Sequence, residues 1–314
     1  MIPENQRPTQ SREATKKFNF SFGLPLSLCV FVLVVCFSFF PKCLLAEEGK
    51  LVFLPNDLAF KPLVGDPREP HDSIILSSGQ NPYEGAIGSF IEFLQWRPGD
   101  ASKWSWGILG AGYIGLGSVH DINTYPKRVV DDNGFLVFNK FPERVSDWYL
   151  GTYFAQSAGA FSNRFEYTHV SSHLGDELFD YVQRIIYTRE SFKLTSSFQP
   201  SPQFRFYAGA GTSPHIAPQE PPFFLHGGTE LYTNYFGFIA HTAARGYMTY
   251  DLKIKDEAGG VVDHAFQWGL EWREREESGH SLRFAILYDN GNSEYGQFYQ
   301  QKDEHWGFGF YFDP

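Results

Sequence analysis

Hydrophobic and polar residues alternate along most of the chain from Tyr83 onwards, in stretches of roughly ten residues separated by Gly, Pro, Asn and Asp. In 265–273, Phe, Trp and Leu occupy every second position, and the intervening positions carry Ala, Gln, Gly, Glu and Arg. The final stretch, 304–312, is similarly aromatic on one face. Because successive side chains of a strand point to opposite faces, this pattern predicts β-strands with one aromatic face and one polar face.

An aromatic face opposite a charged face favours a membrane barrel over a soluble sandwich. The aromatic side chains would contact lipid, and the polar ones would line a lumen. The pattern contains thirteen candidate strands, of which 71–79 and 134–141 are the weakest. Closed bacterial barrels have an even number of strands. We therefore predict an all-β fold, a closed antiparallel transmembrane β-barrel of about 12 strands.

The chain divides into three predicted parts. Residues 1–46 contain a basic stretch, then an uncharged apolar run, and end at a small residue, Ala46, which two acidic residues follow. This order predicts a cleaved signal peptide, and the alternative is a retained membrane helix, since the run is long enough to span a bilayer. Residues 47–82 are rich in Pro and Asp and predict an irregular N-terminal segment, followed by the barrel at 83–314.

Composition narrows the functional classes. Aromatic residues make up 18% of the chain while its mean hydropathy is only −0.31, too polar for a helical membrane protein. All three cysteines, Cys29, Cys36 and Cys43, lie within the predicted leader, so the rest of the chain has no disulfide or cysteine metal site. The formal net charge of −10 disfavours nucleic acid as a partner.

Three short motifs occur in order along the chain: DPREP at 66–70, SSHLGDE at 171–177 and YGQFYQ at 295–300. With the aromatic final strand, they resemble a bacterial family of uncharacterised outer-membrane-type proteins, the domain of unknown function with number 1207. The resemblance covers roughly 50–314 and implies a barrel in the bacterial outer membrane, with membrane lipid as its partner. It implies no activity.

The stretch YTHVSSHLGDE, residues 167–177, carries the candidate chemistry. On a strand over 160–171, alternation places His169 and Ser171 on the aromatic, outward face. Gln183 falls on the same face of the next predicted strand, 180–198. A serine nucleophile needs a histidine base, and a third polar group then orients the imidazole. Our catalytic hypothesis is therefore a site in which Ser171 is the nucleophile, His169 is the base and Gln183 is the orienting group.

The same residues resemble the motif of the outer-membrane phospholipase A family. His169 and Ser171 match its histidine and serine, and Gln183 stands at the spacing of its orienting Asn. The motif's Asn-Gly is replaced by Ser172-His173 here. This resemblance implies a calcium-dependent acyl-ester hydrolase that acts on phospholipid and forms a homodimer, although the residues that would hold calcium are not identifiable.

Two other interpretations stay open. His169 and Ser171 could be ordinary polar residues at a strand end, and the barrel could be a small pore for polar solutes. Whether such a pore would be open depends on the charged residues that lie on the faces opposite the aromatic ones. We predict that most of them point inward and pair, which would obstruct the lumen, because an unpaired charge in a narrow lumen is costly. They are Arg164, Glu166, Arg184, Arg205, Glu271, Arg273 and Arg283.

Overall fold

The computed structural model describes residues 49–99, 101–117, 129–130, 136–137, 142–176, 183–239, 242–274 and 280–313. The predicted leader, 1–46, lies outside these residues. Among the described residues, no helix is long and apolar enough to cross a membrane.

The fold consists of antiparallel strands. They are β1 (Lys50–Phe53), β2 (Asp72–Ser77), β3 (Tyr83–Gly99), β4 (Ser102–Leu116), β5 (Val129–Val130), β6 (Leu136–Val137), β7 (Glu143–Ala158), β8 (Phe161–Leu174), β9 (Tyr187–Ser201), β10 (Phe204–Ala217), β11 (Phe223–Tyr232), β12 (Phe236–Ile239), β13 (Thr242–Lys255), β14 (Val261–Glu274), β15 (Ser281–Asn292) and β16 (Lys302–Asp313). Among the described residues, short 3₁₀ turns occur at Asp256–Ala258 and Gly296–Phe298.

Twelve of these strands close into one barrel, which confirms the predicted fold class. Around the wall the order is β3, β2, β16, β15, β14, β13, β11, β10, β9, β8, β7 and β4, and β4 pairs with β3 to complete the ring. Closure joins the two ends of the sheet into a ring, which is what a bilayer requires of a β structure. The candidate strand at 71–79 is real and joins β16 to β3, so the barrel begins upstream of residue 83. Within the other weak candidate, 134–141, the described residues 136–137 form β6, which pairs with β5 outside the wall.

The two ends of the barrel differ. One end carries two-residue turns such as 159–160 and 202–203 besides the longer connection 233–241, and we call it the turn end. Gly159 has a φ of +56°, a left-handed conformation that favours glycine in such a tight turn. The opposite end, which we call the loop end, carries the longer connections, including 175–186 and 293–301. Strand β16 runs from the loop end to the turn end.

The two faces of the wall follow the predicted alternation. The aromatic residues expected to face lipid are exposed on the outside, namely Trp268, Phe284, Phe308 and Phe310. Five of the charges predicted to point inward are buried: Arg164, Glu166, Arg205, Glu271 and Arg283. Arg273 is partly exposed but contacts Glu271 at 3.0 Å. The prediction is wrong for Arg184, which is exposed in the connection between β8 and β9 instead of lying on a strand.

The lumen is occupied by the chain itself. Strand β1 pairs with the part of β3 near the turn end, and the following residues, 54–71, leave the wall and enter the barrel. We call 54–71 the inserted segment. Its residues Phe60 and Leu63 are 2% exposed and pack among wall residues that include Tyr153 and Tyr207. The middle of the predicted irregular segment is therefore an internal plug, and the chain returns to the wall in β2.

Charged contacts fix the inserted segment to several wall strands. Glu69 receives two hydrogen bonds from Arg164 on β8, at 2.7 and 2.9 Å. Asp66 lies 2.7 Å from the ammonium of Lys253 on β13. Arg205 on β10 donates to the backbone carbonyls of Lys61 and Pro62, at 2.7 and 2.8 Å. These contacts anchor the segment to the part of the wall that runs from β8 to β13.

Candidate functional site

A stripe of polar side chains lies on the outward face of the barrel near the loop end. It consists of His169, Ser171 and His173 on β8 together with Thr188 and Glu190 on β9, and we call it the wall stripe. Antiparallel pairing places Thr188 opposite Ser171 and Glu190 opposite His169. Directly opposed residues of two strands share one face of the sheet. Polar groups on a lipid-facing surface are destabilising in the middle of a bilayer and much less so near its interface with water. We therefore expect this stripe to lie at the level of the lipid headgroups.

Two hydrogen bonds organise the wall stripe. The Oγ of Ser171 lies 3.0 Å from Nε2 of His173, two residues further along the same strand. The Nδ1 of His169 lies 3.2 Å from Oε1 of Glu190, and the other carboxylate oxygen, Oε2, accepts a hydrogen bond from the hydroxyl of Tyr167. The serine therefore contacts a histidine, but its partner is His173 and not the predicted His169.

Gln183 does not join this group. The sequence places it on a strand beginning at 180, but β9 begins at Tyr187, and Gln183 is an exposed residue of the preceding connection. The position opposite His169 is instead occupied by Glu190, seven residues further along the chain. The structure thus brings Ser171 and a histidine together on the outside and leaves the predicted orienting group apart from them.

A groove of about 460 Å³ adjoins the serine, lined by the end of β8, the start of β9 and part of the connection between them. Its volume falls within the range of small-molecule sites. Large apolar side chains flank it on the outer surface: Trp148, directly opposite Ser171, is 53% exposed, Leu150 is 65% exposed and Ile186 is 75% exposed. A polar pair beside exposed apolar side chains can contact both the ester region and the acyl chain of a lipid.

A second polar cluster lies inside the lumen, where Asp66 of the inserted segment meets His226 and Asp251. The three side chains offer ligand atoms within 4.8 Å of one another, so they could hold a cation by geometry. Each carboxylate already has a strong partner, however. Lys253 contacts Asp66, and Asp251 accepts hydrogen bonds of 2.6 Å from both His226 and the hydroxyl of Tyr207. We interpret the cluster as an ion-pair anchor for the inserted segment.

The absence of a side chain at Gly228 makes room for this anchor. A side chain at Gly228 would meet the hydroxyl of Tyr207 at 2.4 Å, so glycine at this position leaves the space in which Tyr207 reaches Asp251. The sequence HGG at 226–228 thus supplies one inward histidine and a gap beside it. Its role in the lumen is structural packing.

The connection 293–301 folds inward at the loop end, and we call it the cap loop. Its Gln297 donates side-chain hydrogen bonds to the carbonyl oxygens of Ser172 and Ile185, both at 2.9 Å. The backbone N–H of Gly296 donates to Asp147 at 3.0 Å. Arg68 of the inserted segment lies 4.1 Å from the centre of the Tyr295 ring. The three motifs singled out in the sequence therefore meet beneath the loop end.

This barrel, with its inserted segment and cap loop, can be compared with known proteins. A family model described as "Protein of unknown function (DUF1207)" matches residues 143–313, more than half of the chain. The chain belongs to this family. The matched part of this DUF1207 protein begins at β7 and so contains the wall stripe and the cap loop, while the inserted segment precedes it. No curated protein matches the chain.

Two solved structures are similar in fold to this DUF1207 protein. LpxR from Salmonella typhimurium shares 10% identity with a TM-score of 0.39, and the similarity covers 77% of this chain and 99% of that one. The outer membrane protein OmpT of Vibrio cholerae, in its trimer form, shares 9% identity with a TM-score of 0.31, over 85% of this chain and all of that one. Neither similarity bears on the activity of this protein.

Sequence reasoning missed two features of the site. The predicted strand ended at 171, although β8 extends to Leu174 and places His173 on the same face as Ser171. It also missed Glu190, because the face assigned to Gln183 on the strand 180–198 would turn Glu190 inward, whereas β9 places Glu190 outward and opposite His169. Ser172 and His173 continue the alternation of inward and outward positions beyond residue 171, and this continuation was the signal for a longer strand.

Proposed function

We propose that this DUF1207 protein resides in the bacterial outer membrane and hydrolyses acyl esters at its lipid-facing surface, with Ser171 as nucleophile and His173 as general base. The observation that carries the proposal is the 3.0 Å contact between Ser171 Oγ and His173 Nε2 on the outward face of β8. This distance lies within the range that proton transfer from a serine requires. The proposal keeps the predicted nucleophile and moves the base from His169 to His173.

The outer-membrane location is supported by the closed twelve-strand barrel with its aromatic outer face. Short turns at one end and longer connections at the other are typical of bacterial barrels, whose turns face the periplasm. On this basis the loop end faces the exterior of the cell, and the wall stripe contacts the outer leaflet. A cleaved leader over 1–46 is part of the same proposal, since export is needed to reach that membrane.

The proposed chemistry has two stages. Ser171 Oγ attacks the carbonyl carbon of a lipid ester while its proton passes to His173 Nε2. The protonated imidazole then gives that proton to the departing alkoxide, which leaves as an alcohol. Water, activated by the same His173, hydrolyses the acyl-serine and releases the fatty acid. Thr188, opposite Ser171 on β9, supplies a hydroxyl on the same face that can stabilise the oxyanion.

The test combines covalent labelling with an assay on detergent-dispersed phospholipid, in the presence of calcium or of a chelator. We expect a fluorophosphonate probe to label Ser171 in the whole protein, as located by peptide mass spectrometry. Ser171→Ala and His173→Ala are each expected to lower fatty-acid release by at least about a hundredfold, the scale of general-base catalysis. Comparison of the two calcium conditions tests the cofactor that the phospholipase resemblance implies.

Two variants serve as controls. Ser162→Ala changes a serine near the turn end of the same strand and is expected to retain activity. His169→Ala removes the base predicted from the sequence and is expected to retain activity as well, since His169 is paired with Glu190. If His169→Ala abolishes hydrolysis while His173→Ala does not, the base is His169. If Ser171 is neither labelled nor needed for fatty-acid release, the hydrolase proposal is wrong.

A further inference from the structure

A second groove, of about 590 Å³, lies on the outer face of the barrel, and we call it the apolar groove. It crosses five neighbouring strands of the wall, β7, β4, β3, β2 and β16. Large apolar side chains that are exposed on the outer face border it, namely Ile74, Ile87, Trp148, Phe310 and Phe312. Asp72 also lines it and accepts a hydrogen bond from the backbone N–H of Gly88 at 3.0 Å. The groove thus has apolar walls over most of its length.

Strand register connects the apolar groove to the proposed nucleophile. Ser171 on β8 is directly opposite Trp148 on β7, and Trp148 is opposite Gly112 on β4. Gly112 in turn is opposite Ile87 on β3. Directly opposed residues share one face of the sheet, with their Cβ atoms about 5 Å apart. One continuous row of outward positions therefore leads from Ser171 into the apolar groove.

The row that contains the proposed base enters the same groove. His173 on β8 is opposite Ser146 on β7, and Ser146 is opposite Ile114 on β4. From Ile114 the row continues through the directly opposed residues Gly85, Ile74 and Phe310. Most of the outward residues that line the apolar groove thus belong to the two rows that begin at Ser171 and His173.

Two glycines shape the floor of the apolar groove. A Cβ atom at Gly85 would have only the backbone oxygen of Ser73 within 4 Å, at 3.9 Å, so the space above this residue is open. A Cβ atom at Gly112 would meet the ring of Trp148 at 2.9 Å, which shows that the indole lies over Gly112. The indole therefore points along the groove, towards β4 and away from Ser171 on β8.

The path from the wall stripe along the apolar groove runs obliquely down the wall. Ser171 lies three residues before Leu174, the end of β8 at the loop end, whereas Phe310 lies three residues before Asp313, the end of β16 at the turn end. Because barrel strands are tilted, a row that crosses them descends into the membrane. Five strands are separated by four spacings, which gives a groove about 19 Å long. Half of a bilayer's hydrocarbon core is about 15 Å thick, so an extended acyl chain has a comparable length.

We propose that the apolar groove holds one acyl chain of the phospholipid whose ester bond is attacked by Ser171, so that the protein selects lipids with long acyl chains. This inference rests on the proposed hydrolase function and specifies its substrate. Inside a bilayer, the surrounding lipid is as apolar as the groove. The selectivity therefore comes from van der Waals contact along the chain, which also holds the ester carbonyl beside the nucleophile.

The first test compares kcat/KM of the whole protein on dihexanoyl- and dipalmitoyl-phosphatidylcholine, each in mixed micelles of the same detergent. Gly85→Leu places a side chain in the groove at three strand spacings, about 14 Å, from the strand of Ser171. This position is beyond the reach of a hexanoyl chain. We expect the variant to lower kcat/KM at least about tenfold on the palmitoyl lipid, the scale on which a pocket discriminates between apolar chains. The hexanoyl lipid is expected to be hydrolysed at a nearly unchanged rate.

Gly110→Leu is the matched control. Gly110 lies on the outer face of β4, opposite Leu150, but does not line the apolar groove. A Cβ atom there would have only the backbone oxygen of Tyr149 within 4 Å, at 3.8 Å, so the new side chain fits as easily as at Gly85. The control is expected to behave like the unchanged protein on both lipids. The β-sheet circular dichroism signal checks that each variant retains the barrel.

The second test, photo-crosslinking in the Ser171→Ala protein, does not depend on hydrolysis. The probe is a phosphatidylcholine whose palmitoyl chain ends in a diazirine, and peptide mass spectrometry locates the adducts. We expect adducts concentrated in β2 and at the end of β16, where Ile74 and Phe310 border the groove. Adding Gly85→Leu is expected to remove most of them, and adding Gly110→Leu is expected to retain them.

The two tests separate this inference from the proposed function. If Gly85→Leu changes the hydrolysis of both lipids equally or not at all, the assignment of the groove is wrong while the hydrolase stands. If neither lipid is hydrolysed, the proposed function is wrong, and crosslinking alone decides whether the groove holds an acyl chain. Adducts spread evenly around the wall refute the groove as an acyl-chain site. A dimer that Gly85→Leu dissociates in native mass spectrometry refutes it as well, because a second copy of the chain would then occupy the groove.

Discussion

At the scale of single residues, strand alternation determines a face but not a partner. His169, Ser171 and His173 follow one another at every second position of β8, so the sequence could place His169 and Ser171 on the outside. It could not decide which histidine would contact the serine, because both stand two residues away from it. That choice depends on side-chain rotamers and on Glu190, which engages His169 from the next strand.

The lumen provides a residue-scale prediction on stability. Glu69→Gln removes the charge that faces Arg164, whose side chain is 1% exposed. Leaving one partner of a buried ion pair unmatched costs about 3–5 kcal/mol, here reduced in part by Glu166, which also contacts Arg164. We expect urea unfolding in detergent to show a loss of about 3 kcal/mol in the free energy of unfolding. Glu69→Met combined with Arg164→Met is expected to recover much of it.

The exposed pair of Lys302 and Glu304 gives the matched comparison, because both side chains are solvated. Lys302→Gln is expected to leave the free energy of unfolding nearly unchanged, because the water that surrounds an exposed pair screens its attraction. Equal effects of Glu69→Gln and Lys302→Gln would show that the inserted segment does not depend on its buried ion pair.

At the scale of elements, the sequence predicted the strands well and the two inward-folded elements poorly. The strands repeat a period of two, which is a local signal. The inserted segment has no period, and its position depends on contacts such as Glu69 with Arg164, which are 95 residues apart. Strand β2 was undervalued because it is short and follows the Pro-rich stretch. The early start predicted for β9 displaced Gln183, since one misplaced boundary changes which residues face the neighbouring strand.

The cap loop provides an element-scale prediction on pH. Burial alone would raise the pKa of Glu294, but the ammonium groups of Lys253 and Lys255 lower this pKa to about 2. A carboxyl group whose pKa is lower in the folded state stabilises that state above its unfolded pKa, and the stabilisation is lost as the pH falls. For Glu294 the loss is expected between pH 4.5 and about 2.

Glu294→Gln removes this titration. We expect the fall in unfolding free energy between pH 4.5 and 3 to be smaller in the variant than in the unchanged protein. Limited proteolysis of the cap loop over the same pH range checks that the effect is local. Identical pH profiles for the two proteins would mean that Glu294 does not stabilise the cap loop through its charge.

At the scale of the whole molecule, the barrel has an outer wall that can contact lipid and a lumen filled by its own chain. The inserted segment contacts β8, β10 and β13 from within, and the cap loop closes over its tip. A filled lumen opposes the interpretation as a small pore for polar solutes. It leaves the outer surface, with the wall stripe and its groove, as the surface on which chemistry can occur.

The most direct test of this division between wall and lumen is single-channel recording in a planar bilayer. We expect the unchanged protein to insert without a steady conductance. The double variant Asp66→Asn with Glu69→Gln, which weakens two anchors of the inserted segment, is expected to show intermittent openings. A steady open channel from the unchanged protein would contradict the account, because ions would then pass through a lumen that the inserted segment is held to close.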